Sequence, residues 1–211
     1  MSDGKYSVNT EIYQKNKGDS EKTGDTYYIA DIKNGKLISL SDGMGSGNEA
    51  SKTSNEVISI LEKLLASGFN NNTITKIING VLKLKENSNV SATLDMTVIN
   101  LANESLKLVK MGAAPTYILS NGNIEIVEKD NLPLGLSDKQ LDDEYEMKIN
   151  SPMIIINISD GAYADGLDEY LKYISKKNID LVTEKEIIDG ILERTDKNNN
   201  DDITIIVTKI E

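Results

Sequence analysis

The sequence predicts an α+β domain: antiparallel sheets packed on each other, with helix pairs outside. Two observations point there. Short β-branched and aromatic runs are joined by turns too short to hold crossover helices, which forces antiparallel neighbours. In two places the apolar period shifts to helical spacing over a pair of segments. With 211 residues, one domain covering 1–211 has room for a sizeable core.

Residues 5–14 (KYSVNTEIYQ) and 26–41 (TYYIADIKNGKLISLS) read as strands, the second interrupted at Asn34-Gly35, a strong hairpin signal. Beyond Gly47, Val57, Ile58, Leu61, Leu64 and Leu65 recur at helical spacing until Ser67-Gly68, giving a long amphipathic helix over about 48–66. A second helix covers roughly 73–86 on Ile74, Ile77, Ile78, Val81 and Leu82, with Leu84 at the margin of the same period. Strand-like runs follow: ATLDMTVINL, SLKLVKMG, PTYILS and NIEIVEK, with turns at Asn103-Glu104 and across 120–123. EYEMKIN and MIIINIS add two strands, helices follow near 167–177 and 183–194, and ITIIVTKI closes the chain as a strand.

Composition removes several function classes. There is no cysteine and no histidine, so disulfides, thiolate and imidazole metal sites and histidine general bases are excluded. Any metal must sit on oxygen donors, which suit magnesium, manganese or calcium. A net charge of −11 with Arg194 as the sole arginine argues against a nucleic-acid footprint. The longest apolar stretches, such as Met153 to Ile158, are far below the ~18 residues a membrane helix needs, so this segment itself is expected to make no membrane contact.

Four acidic positions lie at predicted strand ends beside Gly, Ser, Asn or another Asp. They are Asp25 in Gly24-Asp25-Thr26, Asp42 in Ser41-Asp42-Gly43-Met44-Gly45, Asp160 in Ser159-Asp160-Gly161, and the pair Asp201-Asp202 before Ile203-Thr204. A rigid sheet can converge side chains from its strand ends on one point, while loops leave that point open. Clustered carboxylates repel one another unless cations lie between them. Taken singly, Asp-Gly and Asp-Asp are ordinary turn residues; it is the joint arrangement that suggests a site.

SDGMGSG at 41–47 follows Gly24-Asp25-Thr26 by 17 residues and precedes Ser159-Asp160-Gly161 and Asp201-Asp202-Ile203-Thr204. This ordered set resembles the metal-binding motifs of PPM (PP2C-like) protein serine/threonine phosphatases. SATLDMTVINL, KMGAAPTYI and NLPLGL between 91 and 136 extend the similarity toward the stage II sporulation protein E subfamily, over nearly the whole chain. The resemblance implies a layered α-β-β-α sandwich and two divalent ions, Mn2+ or Mg2+. It implies that Asp42 bridges the ions, that the Gly43 carbonyl completes one coordination sphere, and that Asp160 and Asp201 bind one ion. Asp25 matches an upstream acidic position that holds metal directly or through water, and Asp202 either joins the ligands or orients the loop. Asp42, Asp160 and Asp201 are thus the expected catalytic set, acting through metal-activated hydroxide, with no phosphoenzyme and no Cys or His to form one. Eukaryotic relatives place a histidine and a phosphate-binding arginine near the bridging aspartate; this chain has neither at the matching position, which leaves the general acid open.

The resemblance further implies a phosphorylated anti-anti-sigma factor (a STAS-type protein) as partner, and sigma-factor regulation during sporulation as the context. Full-length relatives carry multispanning membrane and regulatory regions ahead of this domain, so the expectation is a cytoplasmic domain of a protein anchored in the cell membrane at the division septum. A homodimer is left open. The alternative from a different class is a catalytically silent PPM-like metal-binding regulatory module.

Other signals weigh less. Gly43-x-Gly45-x-Gly47 has the wrong spacing for a dinucleotide loop and a carboxylate where a pyrophosphate would sit, so no cofactor-binding residues are assigned. Residues 196–207 imitate a calcium loop but have Asp201 in place of the glycine and Val207 in place of the glutamate. Asp95 lies inside a strand and reads as a hydrogen-bonded structural residue. The helix at 48–66 starts directly after the Asp42 loop, so it is both an ordinary core helix and a lever able to move that loop; in the resembled family this region takes part in switching.

Overall fold

A computed structural model describes residues 6–18, 22–45, 47–85, 90–136, 144–195 and 201–211. Among these residues, ten strands and four α-helices run in the order β1 (Val8–Lys15), β2 (Asp25–Ile32), β3 (Gly35–Asp42), α1 (Gly47–Ala66), α2 (Asn71–Lys83), β4 (Leu94–Asn100), β5 (Ser105–Met111), β6 (Thr116–Ser120), β7 (Asn123–Val127), β8 (Glu144–Lys148), β9 (Met153–Ile158), α3 (Leu167–Ser175), α4 (Glu184–Leu192) and β10 (Ile203–Ile210), with 3-10 turns at Asp160–Ala162 and Ile179–Leu181. The strands form two wholly antiparallel sheets, β1-β10-β9-β6-β7 and β2-β3-β4-β5-β8, named below by their first strands.

Alternation along each strand divides the core into three apolar layers. Leu37, Met96, Val109 and Met111 face α1 and α2, meeting Val57, Leu61, Ile74 and Ile78. Ile154, Ile156, Ile205 and Val207 face α3 and α4, meeting Leu171, Ile174, Ile187 and Ile191. Between the sheets lie Ile38, Leu40, Leu108, Ile118, Ile155 and Ile206. The order is therefore α-β-β-α, as the sequence predicts.

Local chemistry sets the boundaries. β2 and β3 pair through Ile32 and Gly35, so the turn is Lys33-Asn34, one position before the Asn34-Gly35 signal, and Asn121 and Gly122 both take positive φ between β6 and β7, as a tight hairpin requires. Asn70 caps α2 by accepting from the Thr73 amide at 2.9 Å, and Thr183 caps α4 from the Glu186 amide at 3.2 Å. α1 ends at Ala66, before Gly68 in the left-handed conformation.

One expectation fails. Short connections imply antiparallel neighbours, yet β5 and β6, joined only by residues 112–115, lie in different sheets, and so do β8 and β9, joined by 149–152. The rule holds only for strands that stay in one sheet. Here Gly112, at φ +59°, turns the chain away: its amide donates to Asn131 Oδ1 at 2.9 Å, and the Pro133 ring lies 2.6 Å from where a Cβ would stand. No side chain fits that corner. Residue 5 of the first strand and Asp196 to Asn200 of the calcium-like segment fall outside the described residues.

Because Ile206 is fully buried in the layer joining the sheets, Ile206→Ala is expected to destabilise the domain by about 2–5 kcal/mol, read as a lowered urea midpoint with unchanged slope.

Candidate active site

The acidic residues meet at one end of the sandwich and come from both sheets. Asp25 opens β2 and Asp42 closes β3, and the two are direct cross-strand partners. Asp160 follows β9, and Asp201 and Asp202 precede β10, its neighbour. Asp25 is almost wholly buried, Asp42 half-buried, and Asp160 and Asp201 reach solvent.

Backbone clamps fix both strand ends. The Asp42 amide donates to Thr93 Oγ1 at 2.8 Å, the Thr93 amide donates to the Asp42 carbonyl at 2.8 Å, and Ser41 Oγ donates to the Thr93 carbonyl at 2.7 Å. On the other sheet, the Ser159 amide donates to the Thr204 carbonyl at 2.9 Å and the Thr204 amide donates to Ser159 Oγ at 2.9 Å. A hydrogen bond from Thr204 Oγ1 to Asp25 Oδ2, at 2.6 Å, crosses from one sheet to the other. The Asp202 carboxylate accepts the Lys17 and Gly24 amides, both at 2.7 Å, and so anchors the loop that leads into Asp25.

Two glycines are sterically obligatory. A Cβ on Gly43 would lie 2.0 Å from the Ala50 carbonyl in the first turn of α1, and one on Gly161 would lie 2.0 Å from the Asp202 carbonyl. Backbone thus packs directly on backbone beside Asp42 and beside Asp160.

The electrostatics follow from crowding. Burial, then the charges of Asp25, Asp160, Asp201 and Asp202, push the Asp42 carboxyl up to about 8. Burial also raises Asp25 to about 6, against the opposing hydrogen bonds from Thr204 and Ser159. Asp160 is raised by partial loss of solvation and then by Asp201. All of the sequence-predicted positions, Asp25, Asp42, Gly43, Asp160, Asp201 and Asp202, therefore gather in one region. Among the described residues, however, no three acidic side chains are placed to hold one metal ion as they stand. Repelling carboxylates with no cation between them favour protonation and separation, while their all-oxygen donor chemistry suits hard divalent ions.

An open cleft of about 470 Å³ beside the acids is lined by Asp160, Gly161, Tyr163, Asp165, Arg194 and Asp201. Arg194 is held there from the end of α4: its Nη1 donates to the Gly190 carbonyl at 2.7 Å, and its guanidinium lies 3.9 Å over the Tyr170 ring. Sequence spacing gives no sign of this, because α3 and α4 must pack before Arg194 reaches the cleft. Thr93, Ser159 and Thr204 are likewise absent from the sequence-based set; their signal is inward-facing hydroxyls adjacent to the acidic motifs.

A four-layer α-β-β-α sandwich with carboxylates from both sheets at one end defines a PP2C-type phosphatase domain. The chain belongs to the stage II sporulation protein E (SpoIIE) family, whose model matches residues 33–211. It is 28% identical over 215 residues to stage II sporulation protein E of Priestia megaterium and 29% identical over 215 residues to that of Bacillus subtilis (strain 168), in each case across 98% of this chain. It spans only 37% and 26% of those two proteins. Among solved structures, the PP2C phosphatase domain of SpoIIE from Bacillus subtilis, with a fragment of its regulatory domain, superposes with a TM-score of 0.83 at 28% identity, over 98% of this chain and 62% of that one. RsbX in complex with magnesium shares the fold, with a TM-score of 0.81 at 18% identity over 97% of this chain and 96% of that one.

Folded Asp42 and Asp25 keep protons that an unfolded chain gives up near about pH 4, so the folded state binds more protons from there to about pH 8 and stability falls as pH rises through that window. Thermal melts of the metal-free protein should decline between about pH 5 and about pH 8, and Asp42→Asn should flatten that decline and melt about 5 °C or more above wild type at the upper end.

Proposed function

We propose that the domain is a divalent-metal-dependent protein phosphatase that removes phosphate from phosphoserine or phosphothreonine on a partner protein. The convergence of Asp25 and Asp42 from one sheet with Asp160 and Asp201 from the other, beside an open cleft, carries this reading. Asp42, the most strongly perturbed carboxyl in the set and the one that all the others charge against, would be the central ligand for divalent metal, with the Gly43 carbonyl beside it as a further oxygen donor. Asp160 and Asp201, on the solvent side, would add carboxylate oxygens for metal from the cleft. Asp25, bonded to Thr204, contributes charge from the buried side. Asp202 already spends its carboxylate on two backbone amides, which supports the loop-orienting role over direct ligation. Two divalent ions would neutralise this cluster and supply activation of a water for attack on phosphorus. Arg194 places the chain's one guanidinium on the cleft wall, where an anionic segment would enter.

Membership of the family supports a phosphorylated anti-anti-sigma factor of the STAS type as substrate, and a cytoplasmic placement on a protein anchored at the septal membrane. Among the described residues no helix is long and apolar enough to cross a membrane. The alternative reading is a catalytically silent metal-binding module built on the same carboxylates.

A single assay separates the two. Phosphate release from a phosphoserine protein should require Mn2+ or Mg2+ and should fall by at least about 100-fold in Asp42→Asn and in Asp160→Asn. Manganese binding by wild type without release from phosphorylated substrate would favour the silent module.

A further inference from the structure

Behind the acids, the next layer of the sandwich sets four buried polar side chains beside Leu40 and Ile206, the apolar cross-strand partners of two of them. On the β2 sheet, Asp95 and Lys110 are cross-strand partners, 1% exposed in their side chains and 2.9 Å apart. Facing them on the β1 sheet are Thr116 and Asn157, also cross-strand partners. Thr116 Oγ1 donates to Asp95 Oδ2 at 2.6 Å and accepts from Lys110 Nζ at 2.7 Å. Asn157 Nδ2 donates to Asp95 Oδ2 at 3.1 Å and to Thr97 Oγ1 at 3.0 Å. Every one of these bonds except the Asp95–Lys110 pair joins one sheet to the other.

Stability alone is a poor account of this cluster. A buried ion pair is often no better than apolar residues of the same volume, and among the described residues Asp95 Oδ1 and Asn157 Oδ1 find no hydrogen-bond donor. The neighbouring inner layer is filled by Ile38, Leu108, Ile118 and Ile155, which shows what apolar packing could do there. Directional bonds supply something else, a fixed separation and register between sheets, which apolar packing specifies less sharply.

That separation bears on the site. Asp95 is two residues from Thr93 on the strand whose start clamps Asp42. Asn157 is two residues before Ser159 and three before Asp160 on β9. We infer that Lys110, Asp95, Thr116 and Asn157 form an inter-sheet latch whose role is to position the Asp42 half of the acidic site against the Asp160 half. They are positioning residues, acting through Thr93 and Ser159. The inference rests on the reading of those acids as a metal site.

Three variants test it: Thr116→Val, which keeps shape and removes the hydroxyl; Thr116→Ser, which keeps the hydroxyl; and the apolar double variant Asp95→Leu/Lys110→Met. Each is measured for melting temperature, for Mn2+ affinity by calorimetry, and, without metal, for amide exchange at Thr93 and Ser159. Thr116→Val and the double variant should weaken Mn2+ binding by at least about tenfold and speed exchange at both amides, while Thr116→Ser stays near wild type. The double variant should do so with no loss of melting temperature, a separation that a merely stabilising cluster would not give. Wild-type Mn2+ affinity and wild-type exchange in the folded Thr116→Val or double variant would overturn the latch. If wild type itself binds no Mn2+, the phosphatase reading falls on that result alone, and the exchange rates decide the latch.

Discussion

Asp42 and Asp160 are delivered by different sheets, and like charges at the mouth of a sandwich push those sheets apart. The geometry of the site is therefore inherited from the packing between the sheets, whose inner faces must hold the carboxylates near one another against their own repulsion. The opposing attraction comes from the Ile-rich layer of Ile38, Ile118, Ile155 and Ile206 and from a few directional bonds, chief among them Thr204 to Asp25. Burial of that layer is non-directional; the hydrogen bonds decide where each acid stands.

The helix layer reaches the same point from outside. α1 buries Val57 and Leu61 on the β2 sheet, which makes it an ordinary core helix. Its first turn also rests on Gly43 through the Ala50 carbonyl, its Ala50 methyl abuts Gly24, and Ser54 shares a 2.8 Å hydrogen bond with Thr26. Since Gly24-Asp25 and Asp42-Gly43 are the segments so touched, a shift of α1 along its axis must displace Asp25 and Asp42 together. The lever anticipated from chain order alone thus has contacts through which to act. The helix is both core element and site element because backbone packs on backbone there, leaving no soft side chain to absorb the movement.

Much of this was legible in the sequence because the signals are local. The Asn34-Gly35 hairpin, the helical spacing of Val57 and Leu61, and the acidic-glycine motifs each depend on residues a few positions apart. The assignment of strands to sheets was not legible. Nothing local to 112–115 tells a hairpin from a change of sheet, since that choice rests on Pro133 and Asn131 closing over Gly112 and on the bridge between Ala92 and Leu134. Arg194 was invisible for the same reason: its place in the cleft depends on Tyr170 packing against Gly190, where a Cβ would meet the phenol oxygen at 1.9 Å. Asp95 was read correctly as a hydrogen-bonded residue within a strand, but its partners Thr116 and Asn157 lie on the opposite sheet and could not be named from spacing.

The placement of the site at the end of the sandwich follows from a gradient of polarity along the inner faces. At the mouth stand Asp25, Asp42, Ser159 and Thr204; one layer in stand Asp95, Lys110, Thr116 and Asn157; beyond them Ile38, Leu108, Ile118 and Ile155 take over. Each step inward has less water and a lower effective dielectric. At the mouth, a carboxyl with no cation beside it can hold its proton at neutral pH, as Asp42, pushed up to about 8, does. One layer deeper, an acid needs its own cation, and Asp95 has Lys110. Deeper still no charge is tolerated. Among the described residues, the mouth is where the inner faces combine carboxylates free of a resident lysine with access to solvent, so exchangeable divalent ions, rather than a side chain, could supply the missing positive charge there.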